Sequence, residues 1–330
     1  MANSPLTVSF LTDVVLRAWG IRATDVEPFA GEHSLTCRFR TDTGSVLVKS
    51  LRVTDSVLEH ELDRLEQQLG IMRVSREAGL PVARVISGLQ GQFVEVVCQD
   101  GNAVLVHVMD WTEGVRIDAV PMTVTLADSI GDTAGRFDAA VAQVSPPLSD
   151  TSHHWDARVM LASLDSVIPG LLDRSDRSLV IAARDRWAHT IADHEPHLPL
   201  QWVHHDMHDS NLLVTDGDPE HIAGLLDFGD TTFGFRVAEV AVAAAYAARA
   251  AAEPDRALDA VVAAYERHIP LTPAEHAVLR PLVCARLALN LATWSVRATE
   301  RTDTYAHDRA ASSRPALAAL LPSTRAYNRF

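Results

Sequence analysis

The chain has 330 residues, 47% hydrophobic and 22% charged, a composition and length suited to a globular protein of one large or two ordinary domains. Its 29 Lys and Arg against 43 Asp and Glu leave a net charge of −14. That charge repels phosphate backbones and anionic lipid, so nucleic acid and membrane are disfavoured as partners and a cationic small molecule is favoured. The three cysteines, Cys37, Cys98 and Cys284, are widely spaced and form no CxxC pair, which argues against zinc ribbons and disulfide frameworks.

Met1-Ala-Asn-Ser-Pro5 shows no basic segment leading into an apolar core, and the expected location is cytoplasmic. Three short β-prone runs follow at 25–30, 35–40 and 46–51, separated by Gly31-Glu-His-Ser34 and Asp42-Thr-Gly-Ser45. Leu58, Leu62, Leu65, Leu69 and Met72 then form one apolar stripe at helical period, stopped by Gly79-Leu-Pro81. Two more strands are predicted at 93–98 and 104–109. Beyond residue 114 the pattern turns helical, with helices predicted at 126–144, 154–166, 179–195, 235–252, 255–268, 273–299 and 313–321. The tract at 237–252 is Ala-rich and carries Glu239 and Arg249, the mark of an ordinary helix rather than a membrane span. The expected architecture is α+β in two lobes. Residues 1–109 form a small antiparallel sheet with one helix, and 110–330 form a large, mainly α-helical lobe.

The exception within the second lobe carries the chemistry. In Trp202-Val-His-His-Asp206-Met-His-Asp-Ser-Asn211, a carboxylate precedes an amide by five residues, and Asp227 follows in Leu225-Leu-Asp-Phe-Gly-Asp230. Apolar runs at 211–214 and 221–226 flank a turn rich in Asp, Gly and Pro, which predicts a hairpin-like return bringing Asn211 toward Asp227. Phosphoryl transfer from Mg-ATP needs this set: one carboxylate to orient a hydroxyl, and an amide oxygen and a carboxylate to hold Mg²⁺. Lys49, inside the apolar third strand, has to reach water or an anion, and nucleotide phosphate is the expected anion. Gly31 to Thr36 would be the turn over the phosphates. No GxxxxGK[ST] and no GxGxxG occurs.

Each of these residues has a blander reading. Asp206 and Asp209 could be turn formers and Asn211 a local cap, and Glu239 could be solvated rather than bound to the loop. Trp111, Trp155 and Trp294 are core residues by default, with cleft lining as the alternative. His204 is expected to buttress the loop, with His205 and His208 facing the cleft or solvent. Two other functions compete: a nucleotide-binding pseudokinase or adaptor without turnover, and a His/Asp metal hydrolase built on His204, His205, Asp206, His208 and Asp209.

The pattern resembles the aminoglycoside phosphotransferase and choline kinase superfamily, which shares the protein-kinase fold. The match rests on His204-His-Asp206 with Asn211, on Leu226 to Asp230, on His154-Trp-Asp156 and on the segment 65–85. The 235–241 segment, Leu271-Thr-Pro-Ala-Glu275, Cys284 to Asn290 and Thr304-Tyr305 look most similar to hydroxylysine kinase-like phosphotransferases. The resemblance implies a kinase using ATP or GTP with Mg²⁺ on a hydroxyl of a small, amine-bearing substrate, either a hydroxylysine-like amino alcohol or an aminoglycoside. It makes Asp206 the catalytic base, Asn211 and Asp227 the metal ligands and Lys49 the contact to the α- and β-phosphates. Gly31 and Ser34 would lie over the nucleotide, and Val108, Met109 and Asp110 would offer backbone groups to the base. Asp230 would support a second metal or the substrate amine, beside His204 and Glu239 in support. Two departures stand out: His205 replaces the usual Gly of H-G-D, and Gln68 stands where the helix Glu that pairs with the lysine is expected, with Glu61 and Glu66 as the alternative partners.

Overall fold

The first unit opens with a helix the sequence reading did not assign, α1 (Val8–Trp19). The Thr7 hydroxyl caps it by accepting the Phe10 N–H at 3.2 Å, and Gly20, at φ 70°, ends it. Its apolar face of Leu11, Val14, Val15, Ala18 and Trp19 is buried against Cys37, Phe39, Val48, Val104, Val106 and Val108. Those partners belong to an antiparallel sheet of β1 (Asp25–Ala30), β2 (Ser34–Thr41), β3 (Gly44–Val53), β4 (Val85–Ile86), β5 (Glu95–Gln99) and β6 (Asn102–Asp110). The order is β1-β2-β3-β6-β4, with β5 also on β6. A second helix, α2 (Leu58–Glu77), follows β3 and carries the predicted stripe, with Leu69 and Met72 buried. The sheet thus has two helices beside it, not one.

The computed structural model describes residues 6–30, 34–99, 101–147, 150–300 and 304–321. It divides into Met1–Glu113 and Gly114–Phe330. No helix among the described residues is long and apolar enough to cross a membrane.

The second unit contains β7 (Val115–Arg116), α3 (Val124–Val141), α4 (Met160–Val167), α5 (Arg174–His194), β8 (Leu200–Val203), β9 (Leu212–Thr215), β10 (Asp218–Leu225), β11 (Thr232–Phe235), α6 (Val237–Ala250), α7 (Pro254–Glu266), α8 (Pro273–Glu300) and α9 (Thr304–Leu320). The expected helices are present, with informative differences at their starts. Phe235 pairs with Leu200 as the end of β11, so helix α6 begins after it. Helix α4 begins at Met160 because buried Asp156 caps a 3-10 turn, Ala157–Val159, that leads into it. Its carboxylate accepts the Arg158 N–H at 2.9 Å and the Arg158 guanidinium at 2.9 and 2.6 Å.

Helix α6 is buried on every side from Val237 to Ala248. Its alanines allow this, since small side chains leave room for neighbouring helices all round. Helix α8 starts with a capping box, in which the Thr272 hydroxyl accepts the Glu275 N–H at 3.2 Å and the Glu275 carboxylate accepts the Thr272 N–H at 2.8 Å. That carboxylate is fully buried and also holds Arg236 through two hydrogen bonds, at 2.8 and 2.5 Å. The start of α6 and the start of α8 are thereby tied together.

Helices α3 and α7 approach most closely at two glycines one turn apart. A Cβ on Gly131 would lie 2.1 Å from the Val261 carbonyl oxygen, and one on Gly135 would lie 2.8 Å from that of Tyr265. Backbone cannot yield as a flexible side chain can, so the helices must separate if either position gains a side chain. Gly131→Val is expected to cost about 1–3 kcal/mol and to lower the thermal unfolding midpoint by several degrees. Gly70→Ala, in α2 with nothing within 4 Å of the added carbon, should leave the midpoint level or raise it. Equal midpoints for Gly131→Val and the parent chain in calorimetry would contradict this packing.

Candidate active site

Two short antiparallel ladders build the site. Strand β8 pairs with β11, Val203 opposite Thr232, and β9 pairs with β10, Leu212 opposite Leu225. The chain runs from β8 to β9 through residues 204–211 and from β10 to β11 through 226–231. Both connecting loops are therefore fixed at both ends by the same two ladders. Gly217, at φ 80°, makes the tight β9–β10 turn, and the Leu226 N–H donates to the Asn211 carbonyl at 2.8 Å. The predicted return that draws Asn211 toward Asp227 is present.

Each loop contains one strained residue. The non-glycine residues with positive φ among those described are His205, at 66°, and Asp227, at 55°. Left-handed backbone costs an L-residue about 1–2 kcal/mol, so the surroundings must hold it there. At His205 the holder is Glu239, in the first turn of α6. Its Oε2 accepts the His204 N–H at 2.5 Å and the His205 N–H at 3.1 Å. Glu239 is fully buried, which raises its pKa to about 7 against the opposing pull of these two N–H groups. Of the two readings of this carboxylate, contact with the loop is the one observed.

His204 holds the loop through its ring. Its Nδ1 accepts the Asp206 N–H at 3.3 Å, and its Nε2 donates to the Leu226 carbonyl at 3.0 Å, which joins one loop to the other. That pattern needs the neutral ring, and burial lowers its pKa to about 4. His205 corrects an expectation, since it faces neither cleft nor solvent. It is 1% exposed, packs edge-on against the His153 ring, and neither ring nitrogen has a partner among the described residues. The left-handed backbone also explains why glycine is the usual occupant of this position, because glycine adopts that conformation without a Cβ penalty.

Asp206, Asn211 and His208 form one hydrogen-bonded group. Asn211 Nδ2 donates to Asp206 Oδ2 at 2.7 Å and to the Asp206 carbonyl at 3.1 Å. His208 Nε2 lies 3.4 Å from the same Oδ2, and its Nδ1 lies 3.2 Å from Asp209 Oδ1. Burial opposes charge on that ring, but the two carboxylates outweigh it and carry the pKa up to about 9. The Ser210 N–H, 3.0 Å from Nδ1, competes for the neutral ring and loses to them. Burial likewise opposes the Asp209 charge, yet His208, Arg249 at 2.5 Å and Arg309 at 2.8 Å hold its pKa well below the carboxylate range. Asp227 Oδ1 accepts the Gly229 N–H at 3.3 Å. Burial and the nearby Asp206 raise the Asp230 pKa, and the Asp230 carbonyl faces His153 Nε2 at 2.9 Å.

Asp206, Asn211, Asp227 and Asp230 line one cavity of about 300 Å³, together with Trp155, Tyr246 and a stripe of α8. That stripe, Arg286, Asn290, Trp294 and Arg297, recurs at spacings of four, four and three and so forms one helix face. Arg286 is 2% exposed and reaches Asp206 Oδ1 at 3.3 Å. Sequence reasoning did not single out these residues. The signal available was polar residues at helical spacing within an otherwise apolar helix. Trp155 and Trp294, taken as core by default, line the cavity beneath Arg286 and Arg297, whose guanidinium groups sit 4.8 and 4.9 Å from their respective ring centres. No group of three or more His, Cys, Asp or Glu among the described residues is placed to hold a metal.

The remaining expected residues lie in the first unit. Lys49 stands in β3 between Thr36 and His107, on the face opposite that of Val48, which packs on α1. Ser34 begins β2, and Gln68 is buried in α2. Gly31 lies outside the described residues. Val108 and Met109 pair with both β3 and β4, while the Asp110 N–H is given to the Arg84 carbonyl at 2.9 Å.

The sequence profile of the phosphotransferase enzyme family (APH) matches residues 25–282. Hydroxylysine kinase of Bos taurus is 24% identical over 313 residues, covering 88% of this chain and 83% of that protein. The Danio rerio hydroxylysine kinase is 26% identical over 299 residues, covering 87% and 82%. A microcompartment-associated aminopropanol kinase superposes with a TM-score of 0.71 at 17% identity over 95% of this chain and 96% of the other. An amicoumacin kinase in complex with AMP-PNP, Ca²⁺ and Ami superposes with a TM-score of 0.69 at 15% identity over 94% and 93%. The α+β, protein-kinase-like architecture expected from the sequence is the one these structures share. With the family profile spanning most of its length, the chain belongs to the APH phosphotransferase family and is an enzyme that transfers a phosphoryl group to an alcohol.

Proposed function

We propose that this enzyme transfers the γ-phosphoryl group of ATP or GTP to a hydroxyl of a small, amine-bearing acceptor. The observation that carries the reading is the set of Asp206, Asn211 and Asp227 on two loops fixed by common ladders, opening into one cavity. The similar proteins support the acceptor class by their names, since hydroxylysine and aminopropanol both join a hydroxyl to an amine.

Phosphoryl transfer asks a protein for positioning and charge more than for covalent chemistry. Asp206 is assigned the acceptor hydroxyl, which it orients and whose proton it receives. Arg286 on one oxygen and Asn211 on the other fix the direction of that carboxylate. Asn211 gives its amide nitrogen to Asp206, which turns its amide oxygen away, and Asp227 adds a carboxylate. Two hard oxygen donors fit Mg²⁺, which takes few protein ligands and completes its shell with phosphate and water. Mg²⁺ bound there would neutralise charge on the transferred group. Lys49, Gly31 and Ser34 are assigned to the nucleotide, Asp230 to the acceptor amine or a second metal, and His204 and Glu239 to holding the loop. The intact set of Asp206, Asn211 and Asp227 favours turnover over a silent nucleotide-binding role.

Asp206→Asn is the cleaner test than alanine, because an amide oxygen still meets the buried Arg286. It should lower Mg²⁺-dependent ATP consumption by about 10²–10⁴-fold with nucleotide affinity and unfolding midpoint close to those of the parent. Parental turnover in this variant, on an acceptor the parent uses, would end the assignment.

Glu239 predicts a pH effect. Its pKa is raised from 4.5 in the free group to about 7 in the fold, so the folded chain prefers the protonated form. Its contribution is therefore full below pH 4.5 and is lost as pH rises through 7. Glu239→Gln keeps an acceptor for both N–H groups and cannot ionise. Its stability advantage over the parent, read by urea unfolding, should grow between about pH 4.5 and 7, on the order of 3 kcal/mol. A gap that does not change with pH would refute this. Glu239→Ala instead strands two buried N–H groups at about 1–3 kcal/mol each and should be the least stable of the three.

A further inference from the structure

Resting on the kinase reading above, we propose that the acceptor bears a carboxylate and that Arg297 is the specificity-determining residue that binds it. Three arginines line the cavity opposite its aspartates. Two of them are already engaged by the protein. Arg286 meets Asp206 at 3.3 Å and the Trp155 carbonyl at 3.3 Å, and Arg309 meets Asp209 at 2.8 Å and Ser210 at 3.3 Å. Arg297 has only the Trp294 ring beneath it, at 4.9 Å, and no carboxylate partner among the described residues. Among the described residues it meets no counter-charge, and it stands on the wall of the cavity at the exposed end of the α8 stripe.

A second donor lines the same cavity, nearer Asp206. The Tyr246 hydroxyl accepts the Asn290 amide at 2.8 Å, so its own proton remains to be given, and no acceptor for it exists among the described residues. A polycationic acceptor would satisfy the aspartates and place its remaining ammonium groups against Arg297. A hydroxy amino acid satisfies both walls, with its amine toward the aspartates and its carboxylate toward Arg297. The volume of about 300 Å³ also suits so small a molecule. Arg297 follows Arg286 by eleven residues, about 16 Å along the helix, a gap that the two arginine side chains shorten by spanning part of it. The hydroxyl and the carboxylate of the acceptor should therefore be several bonds apart.

The test compares hydroxylysine with its decarboxylated diamine, which keeps the hydroxyl and both amines. The full chain with Mg-ATP should favour hydroxylysine about tenfold to a hundredfold in kcat/KM, with the difference in KM. Arg297→Met should bring that ratio close to one by raising the acceptor KM rather than the ATP KM, and Arg297→Lys should restore part of it. Calorimetric titration of both acceptors into the chain loaded with AMP-PNP reads the same ratio without turnover. Selective binding without transfer would therefore overturn the kinase reading while supporting this one. A parental ratio at or below one, no binding of either compound, a ratio that survives Arg297→Met, or a rise confined to the ATP KM would each overturn the proposal.

Discussion

A single carboxylate oxygen, Glu239 Oε2, holds the backbone of two successive residues, His204 and His205, and the geometry of the site follows from it. Left-handed backbone at His205 turns the chain so that Asp206 enters the cavity, and a histidine adopts that conformation only when held. Glu239 can hold it because it is fully buried in the first turn of α6, where no water competes with the two N–H groups for its oxygen. Its position in turn depends on Arg236, just before the helix, which Glu275 ties to the start of α8. One chain of polar contacts thus runs from a helix cap to the turn that presents Asp206.

Around that turn the protein divides its work between rigid backbone and charged side chains. The two ladders set the spacing of the loops, and His204 joins them through the Leu226 carbonyl. Helix α8 supplies the opposite wall, and its register decides which cation meets Asp206 and which meets the far end of the cavity. Most of the cations here meet a carboxylate: Arg286 meets Asp206, and His208, Arg249 and Arg309 converge on Asp209. Such matching lets ionised groups persist at low exposure, where an unmatched charge would be costly. It also makes Arg297, which meets no carboxylate among the described residues, informative.

Much of this was legible along the chain, and the legible part was local. Strands at 25–30 and 46–51, the α2 stripe, and the return between Asn211 and Asp227 all follow from periodicity and turn chemistry acting within about twenty residues. Helix α1 went unassigned, although Leu11, Val14, Val15 and Ala18 carry a helical pattern, because no motif directed attention there. The burial of His205 was also missed. Its neighbours in sequence are polar and functional, while the His153 ring that covers it lies fifty residues away.

By itself the sequence determined the chemistry. A carboxylate, an amide and a second carboxylate at these spacings, with a hairpin between them, point to phosphoryl transfer, and the hairpin itself follows from local turn chemistry. The tertiary structure decided what surrounds that chemistry: which carboxylate clamps the loop, which arginine faces Asp206, and which cation on α8 is left for a ligand. Those outcomes depend on how α6 and α8 pack, and packing brings together residues such as Glu239 and His205, or Arg286 and Asp206, whose separation in the chain encodes nothing about their contact.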